Sequence, residues 1–280
     1  MTITPLIVDP SVIVLVIVGY KCAGKTTFAD YLAIREGVWT IEGSTVFRSL
    51  AANYGRDVAS PKAAIEFLTN RGMDAVAREI ASYIDNDTQP MNVVSGLRTI
   101  EDLIFFRRKF PRAYVVWVDA DARLRFERHL ARARDKEITT FQAFESHDEE
   151  QQSFGVMRVA PELADMVIIN DSSMLQYQRK IDDVLLAIRN NRAGRASRPA
   201  GERHRALRAL ATFDRTATCE EIAAASETEG VSVRKYNINR ALNSLPEFAE
   251  PIVEKGSLLS YRMTPRGRLL LELLEDGLRE

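Results

Sequence analysis

The run Val12-Ile13-Val14-Leu15-Val16-Ile17-Val18 leads directly into Gly19-Tyr20-Lys21-Cys22-Ala23-Gly24-Lys25-Thr26, and a stretch with helical periodicity follows from Thr27 to Ile34. A buried strand, a glycine-bounded turn and a helix start in that order are the context in which the pattern G-x-x-x-x-G-K-[ST] binds phosphate. The two glycines allow successive N–H groups to face inward around an anion, and the helix that follows offers its positive end. Gly19 through Thr27 are therefore the candidate nucleotide-binding residues. Lys25 is expected to reach the β and γ phosphates of ATP or GTP, and the Thr26 hydroxyl to ligate Mg²⁺. Cys22, inside the loop, reads either as a small filler or as a thiol whose modification blocks the nucleotide.

Around this loop, the first 190 residues alternate short β-branched runs with longer helical stretches, the pattern of a parallel sheet covered by helices on both faces. The strands expected are Val12–Val18, Val38–Ile41, Asn92–Val94, Tyr114–Val118 and Met166–Ile169, short and without alternation, as suits burial on both faces. Their sum is a three-layer α/β domain over residues 1–190.

Length and composition set the outer bounds. A chain of 280 residues is about two domains, with Lys and Arg at 38 against Asp and Glu at 39. This near balance excludes a strongly basic nucleic-acid coat or an acidic tail. Cys22 and Cys219 are far apart and have no metal-ligand spacing, which points to a reducing, cytoplasmic setting without disulfides. The longest apolar run is too short to cross a bilayer, and Asp9 and Pro10 before it do not make a signal peptide, so no membrane partner is expected. His129, His147 and His204 lack paired spacing and read as surface positions, and Asp148, Glu149 and Glu150 read as a solvated helix face.

A cluster of arginines follows the fourth strand: Arg123, Arg125, Arg128, Arg132 and Arg134. Arg125, Arg128 and Arg132 share a helix face through i+3 and i+4 steps, so three guanidinium groups either converge on one transferring phosphate or pair with Glu127 and Asp135 on a solvated helix. The stretch Arg125-Phe126-Glu127-Arg128, continuing through Arg132-Ala133-Arg134 to Thr140-Phe141-Gln142-Ala143-Phe144-Glu145 and Ser153-Phe154-Gly155, resembles the lid of the nucleoside monophosphate kinase superfamily, in its dephospho-CoA-kinase-like branch. Gly72-Met73-Asp74-Ala75-Val76-Ala77, Gly96-Leu97-Arg98 and Ala164-Asp165-Met166-Val167-Ile168-Ile169-Asn170 are similar to the same group.

That resemblance implies a three-layer P-loop kinase fold with a five-stranded parallel sheet, a nucleoside triphosphate on the loop, and a phosphorylated or hydroxyl-bearing acceptor under a mobile lid. It implies Arg48 and Arg98 as acceptor-binding residues, Arg128 and Arg132 as catalytic residues alongside Lys25, and Asn170 near the donor base. One departure stands out. Relatives usually end the third strand in Asp, which helps hold Mg²⁺, and this chain has Ser95. Asp119 and Asp121 either compensate or cap the next helix.

Between Arg189 and Arg208 the composition turns to Arg, Ala, Gly, Ser and Pro, which reads as a basic linker over 191–203, either a solvated tether or an arm on phosphate. Beyond it, at 204–280, helix-like segments at His204–Phe213 and Cys219–Ser226, a helix capped by Ser232 and running to Leu245, two strands around Lys255-Gly256-Ser257 and a last helix from Pro265 resemble a winged helix-turn-helix domain. Ile238, Ala241, Leu242 and Leu245 form its inward stripe, leaving Arg234, Lys235, Asn237 and Arg240 as candidate DNA-binding residues. The alternative is a protein partner or a homodimer through this module. Two functions compete: phosphoryl transfer from ATP to a nucleotide-like acceptor of the NMP, dNMP or dephospho-CoA type, and a nucleotide-sensing DNA-binding regulator built on a degenerate kinase fold.

Overall fold

The computed structural model describes residues 11–58, 60–85, 88–132, 138–190, 202–228, 233–252 and 259–276. Arg134, Ser232, the turn at Lys255-Gly256-Ser257 and most of the expected linker, with Arg192, Arg195 and Arg198, lie outside them. The chain divides into two compact units, Met1–Gly194 and Arg195–Glu280.

The first unit runs β1 (Ile13–Val18), α1 (Lys25–Glu36), β2 (Trp39–Glu42), α2 (Gly43–Asn53), α3 (Pro61–Arg71), α4 (Ala75–Asp85), β3 (Met91–Ser95), α5 (Ile100–Lys109), β4 (Arg112–Asp119), α6 (Ala122–Arg132), α7 (Phe141–Gln152), α8 (Val156–Leu163), β5 (Met166–Ile169) and α9 (Met174–Arg189). The five strands form one parallel sheet in the order β2-β3-β1-β4-β5. All six residues of β1 are buried, as its unbroken Val and Ile run requires of a strand covered on both faces. One face packs Leu15, Ile17, Val93, Val116 and Val118 against Phe28 and Leu32 of α1 and Tyr177, Ile181 and Leu185 of α9. Helices α5 and α8 pack against β4, and α4 packs on α5, to complete the third layer. Asp165 is buried at the entry to β5, where it pairs with Arg107 at 2.9 Å and accepts the Val115 N–H at 2.7 Å. Because β1 is central, its carboxyl end opens into the crevice where open α/β sheets bind ligands.

The second unit runs α10 (Glu202–Ala211), β6 (Ala217–Thr218), α11 (Cys219–Thr228), α12 (Lys235–Asn243), β7 (Ala249–Ile252), β8 (Ser260–Met263) and α13 (Pro265–Asp276). Its strands form an antiparallel sheet in the order β6-β8-β7. Ile238, Ala241, Leu242 and Leu245 are buried, so the apolar stripe does face inward. Strand β6 is two residues long and carries no sequence signal of its own.

Three expectations need correction. His129 and His204 are buried, not surface positions: His129 sits between Phe126 and Phe144, and its Nε2 lies 3.0 Å from the Ile138 carbonyl. Asp148 is buried too, paired with Arg125 at 2.6 Å, while Glu149 and Glu150 are exposed. And Glu202 and Arg203, assigned to the linker, begin helix α10.

Candidate functional site

The loop between β1 and α1 is shaped by its two glycines. A Cβ on Gly19, at φ 153°, would stand 2.1 Å from the Val118 carbonyl oxygen of the neighbouring strand, so only glycine lets the chain leave β1 there. Gly24 caps α1 at φ 114° with no side chain over the helix end, which leaves the first N–H groups of α1 available to an anion. Cys22 takes a positive φ of 63°, a costly geometry for a residue with a Cβ. Its thiol is buried.

Lys25 folds its ammonium back into the loop, where Nζ donates to the Gly19 and Tyr20 carbonyls, each at 2.8 Å. Burial pulls this ammonium down to about 8 from its usual 10.5; Arg98 and Arg125 add to the effect, and Cys22 and Glu42 oppose it. A site that strips water from a cation without giving it a full counter-charge is built to receive an anion. The exposed Thr26 hydroxyl, on the first turn of α1, is the donor present for Mg²⁺, an ion that takes few protein ligands and completes its shell with phosphate oxygens and water. The loop thus fits a nucleoside triphosphate with its metal. Ser95 ends β3 and is buried.

Two side chains brace the loop from behind. Asn170 Nδ2 donates to the Ala23 carbonyl at 2.8 Å, and the Tyr177 hydroxyl donates to the Gly24 carbonyl at 3.1 Å. Both crowd the position a Gly24 side chain would occupy, at 2.4 Å and 3.1 Å from a built Cβ. The brace has a further member, since Arg128 Nη2 donates to the Asn170 main-chain carbonyl at 2.8 Å.

A cavity of about 900 Å³ opens over the loop. Gly19, Tyr20, Lys21 and Lys25 line one end, and Arg48 and Arg98 line the same space together with Glu42, Ser44 and Phe47. Residues of α7, among them Ser146, His147 and Glu150, line its opposite side. Arg48 is exposed on α2, where it donates to Thr45 Oγ1 at 3.2 Å. Arg98 is half-buried; burial and the neighbouring Arg48 lower its guanidinium from the ordinary range, against the pull of Glu42.

The arginines of α6 take three different positions instead of converging. Arg125 is buried: it donates from Nε to the Ala120 carbonyl at 3.1 Å, from Nη1 to Asp148 Oδ2 at 2.6 Å and to the Lys21 carbonyl at 3.4 Å, and its guanidinium lies 4.9 Å from the Tyr20 ring centre. Arg128 reaches Asn170 as described, and Arg132 is exposed at the end of the helix. None of the three lines the cavity. Asp121 accepts the N–H groups of Arg123 and Leu124 and so caps α6, while Asp119 accepts the Ala120 N–H.

Sequence reasoning missed Glu42, Tyr177 and the Arg125–Asp148 pair. Glu42 ends β2 in register with Ser95, accepts from Ser44 Oγ at 2.7 Å, and brings a carboxylate into the cavity. Its position after a short strand was the one available signal. Tyr177 shares a helical stripe with Ile181, Val184 and Ile188 and so reads as core.

On the second unit, Arg234, Lys235 and Arg240 are exposed on or beside α12 and Asn237 is half-buried. Lys235 is ion-paired with Glu220 of α11, which lowers the charge this face presents.

The AAA domain family matches residues 14–157 of the chain. A UPF0200 protein of Methanopyrus kandleri is 32% identical over 177 residues, covering 61% of this chain and 88% of that protein. A UPF0200/UPF0201 protein of Archaeoglobus fulgidus is 28% identical over 184 residues, covering 64% of this chain; the chain spans 56% of that relative's length. Among solved structures, a shikimate kinase from Acinetobacter baumannii in complex with shikimate is similar at a TM-score of 0.46 and 16% identity, over 67% of this chain and 98% of that one.

Proposed function

Because the chain belongs to the AAA domain family through residues 14–157, we propose that it transfers the γ-phosphoryl group of ATP, or GTP, to a nucleotide-like acceptor. The observation that carries this reading is the single cavity that joins Lys25 of the phosphate loop to Arg48 and Arg98. A nucleotide hydrolase needs room for water beyond the γ-phosphate; a space of about 900 Å³ with two further guanidinium groups in its wall suits a second anionic substrate.

In this reading the loop amides and Lys25 hold the triphosphate and Thr26 would hold Mg²⁺, which when bound would neutralise phosphate charge. Arg48 and Arg98 grip the acceptor's anionic group and set its attacking oxygen in line. Glu42 supplies, at the same edge of the sheet, the carboxylate that Ser95 lacks. Arg128 and Arg132 are the cations assigned to the transferring group, which requires α6 to change position when both substrates are bound. The second unit acts as a winged-helix module that docks or regulates the enzyme, with Arg234, Lys235, Asn237 and Arg240 as its nucleic-acid contacts. A homodimer through this unit remains within the proposal.

A coupled assay across nucleoside monophosphates, deoxynucleoside monophosphates and dephospho-CoA tests the proposal. Transfer above the Lys25→Ala background to at least one acceptor is expected, and none to any of them discards it. A second reading, a nucleotide-sensing DNA-binding regulator, is favoured by Ser95 and by the exposed Arg234 and Arg240. It requires salt-dependent duplex binding that changes with ATP, and fails if no duplex binds at low salt.

A further inference from the structure

Beneath the Arg98 side of the cavity lies a buried carboxyl that the proposed mechanism leaves without a task. Asp102, in the first turn of α5, is 1% exposed. Its Oδ1 accepts the Ala77 N–H of α4 at 3.1 Å, and its Oδ2 accepts the Thr99 N–H at 3.4 Å. Its own N–H donates to Thr99 Oγ1 at 3.1 Å, and that hydroxyl donates onward to the Met73 carbonyl at 2.8 Å. One carboxyl group therefore joins the N-terminal turns of two helices, each a site of unpaired donors and positive potential. A capping box on an exposed helix asks only for the Thr99 contacts; the reach to α4 is additional.

The residues 96–99 between β3 and α5 form the strap that carries Arg98. Its far side is fixed as well. The Val156 N–H donates to the Arg98 carbonyl at 3.3 Å, Thr99 bridges to Gly155, and the Arg98 guanidinium lies 5.3 Å from the Phe154 ring centre. Asp102 is thus the tie on one side of a strap whose other side is already held, and the placing of Arg98 depends on both.

Among the described residues, few charges surround the carboxyl. Glu101 on its own helix opposes ionisation, and Arg98 lines the same small cavity. The elements packed against it present Ser44 and Phe47 from α2, Leu68 from α3, Val76 from α4, and Phe154. Burial pushes the Asp102 carboxyl up to about 7, against the hydrogen bonds from Thr99 and Ala77 that pull it down.

We infer that Asp102 is a positioning residue for the acceptor site: its ionised carboxylate draws the 96–99 strap onto α4 and fixes Arg98 at the cavity, and its protonation slackens that hold. The reason lies in the two acceptors. A carboxylate receives both N–H groups as a charged acceptor, but protonation removes that charge and turns one oxygen into a hydroxyl, a weaker acceptor, so both ties weaken and the one on the hydroxyl oxygen most. This rests on the reading of Arg98 as an acceptor-binding residue, and it makes acceptor binding tighten as pH rises through about 7.

The full chain without ligand gives the first test. The Arg98 Nε–H resonance, assigned by its loss in Arg98→Lys, should shift between about pH 5.5 and about pH 8.5 with a midpoint near 7, and Asp102→Asn should abolish the shift. No transition in the wild type, or an unchanged one in Asp102→Asn, overturns the inference. Should Asp102→Asn fail to fold, Thr99→Val removes the hydroxyl link and should displace the midpoint; an unmoved midpoint overturns it equally. Calorimetry with AMP as probe then reads function: wild-type affinity should rise with pH by about tenfold more than that of Asp102→Asn, in which the ionisation of AMP itself still operates. ATP affinity should be the same in both. An Arg98→Ala chain that binds AMP like the wild type would break the acceptor assignment while leaving the resonance test of Asp102 standing.

Discussion

On the floor of the cavity, Lys25, Arg48 and Arg98 line the open space; on α6, in the stretch whose sequence resembles a lid, Arg125 is sunk against Asp148 and Arg128 against the Asn170 carbonyl. Both regions are rich in cations, yet their cations are engaged in opposite ways. The floor leaves its charges incompletely matched, which is the condition the proposed anionic substrates require. On the lid they hold parts of the protein to one another: Arg125 connects α6, α7 and the Lys21 carbonyl of the loop, with Tyr20 under its guanidinium. Helical spacing alone cannot tell these uses apart, because a row of arginines has the same periodicity whether it faces a ligand or a buried aspartate.

Asp148 carries the largest expected effect. Burial pushes its carboxyl up while Arg125 pulls it down, and its Oδ1 is buried with no hydrogen-bond partner among the described residues. Removing the carboxylate leaves the guanidinium buried and unpaired, so Asp148→Ala should lower unfolding free energy by about 3 kcal/mol or more, measured by urea denaturation. A loss under about 1 kcal/mol, the ordinary worth of an exposed pair, would mean that the lid tie is no stronger than a surface contact. Arg132, exposed on the same helix, should behave in reverse. Arg132→Ala should leave urea stability unchanged and lower kcat by about 100-fold, a cost of roughly 2.7 kcal/mol in the transition state. Unchanged kcat would remove Arg132 from the catalytic set and leave the lid with a structural role.

Tyr177 sharpens the same contrast from the floor. Its hydroxyl donates to the Gly24 carbonyl from behind the loop, so Tyr177→Phe deletes one hydrogen bond and keeps the ring that packs on Phe28. The expected loss is about 1 kcal/mol of stability with a few-fold weaker ATP affinity by calorimetry. Full ATP affinity would show that Asn170 alone braces the loop.

How far the sequence could be read follows from the range of the forces involved. The five strands of the first unit were legible because Val and Ile runs and glycine breaks are local signals, and each observed strand lies within two residues of the expected one at either end. The phosphate loop was legible for the same reason. Arg48, Arg98 and Lys25 line one cavity, although their positions in sequence span 73 steps: Lys25 follows Gly24 and Arg98 stands two residues after Gly96, local breaks the sequence shows, whereas Arg48 lies in the middle of α2. What escaped was pairing at a distance: Asp148 with Arg125, Tyr177 with Gly24, Asp102 with Ala77. A buried carboxylate and a solvated one have the same letter, and only the partner, 23 to 153 residues away in these cases, decides which it is. His129 was misread on that account: without paired spacing it read as a surface position, yet the Phe144 ring of α7 covers it.

Lys25 offers the finest test, since it asks only where a proton resides. In the free protein its ammonium is lowered to about 8, chiefly by burial, whereas in the unfolded chain it returns to about 10.4. Between those values the unfolded state binds more protons, so this group makes stability rise with pH across that window and contributes no slope below it. A triphosphate in the loop restores the missing counter-charge and raises the ammonium again, so ATP binding near pH 9 should take up a sizeable fraction of one proton. Calorimetry of ATP binding in two buffers of different ionisation enthalpy measures it directly. Uptake near pH 9 that vanishes at pH 7, where Lys25 is protonated in both states, and vanishes again in Lys25→Arg, would establish that the floor of the site holds a cation waiting for its anion. Equal heats in the two buffers at pH 9 would mean that the Gly19 and Tyr20 carbonyls already satisfy it, and the floor would then differ less from the lid than the geometry of its cavity implies.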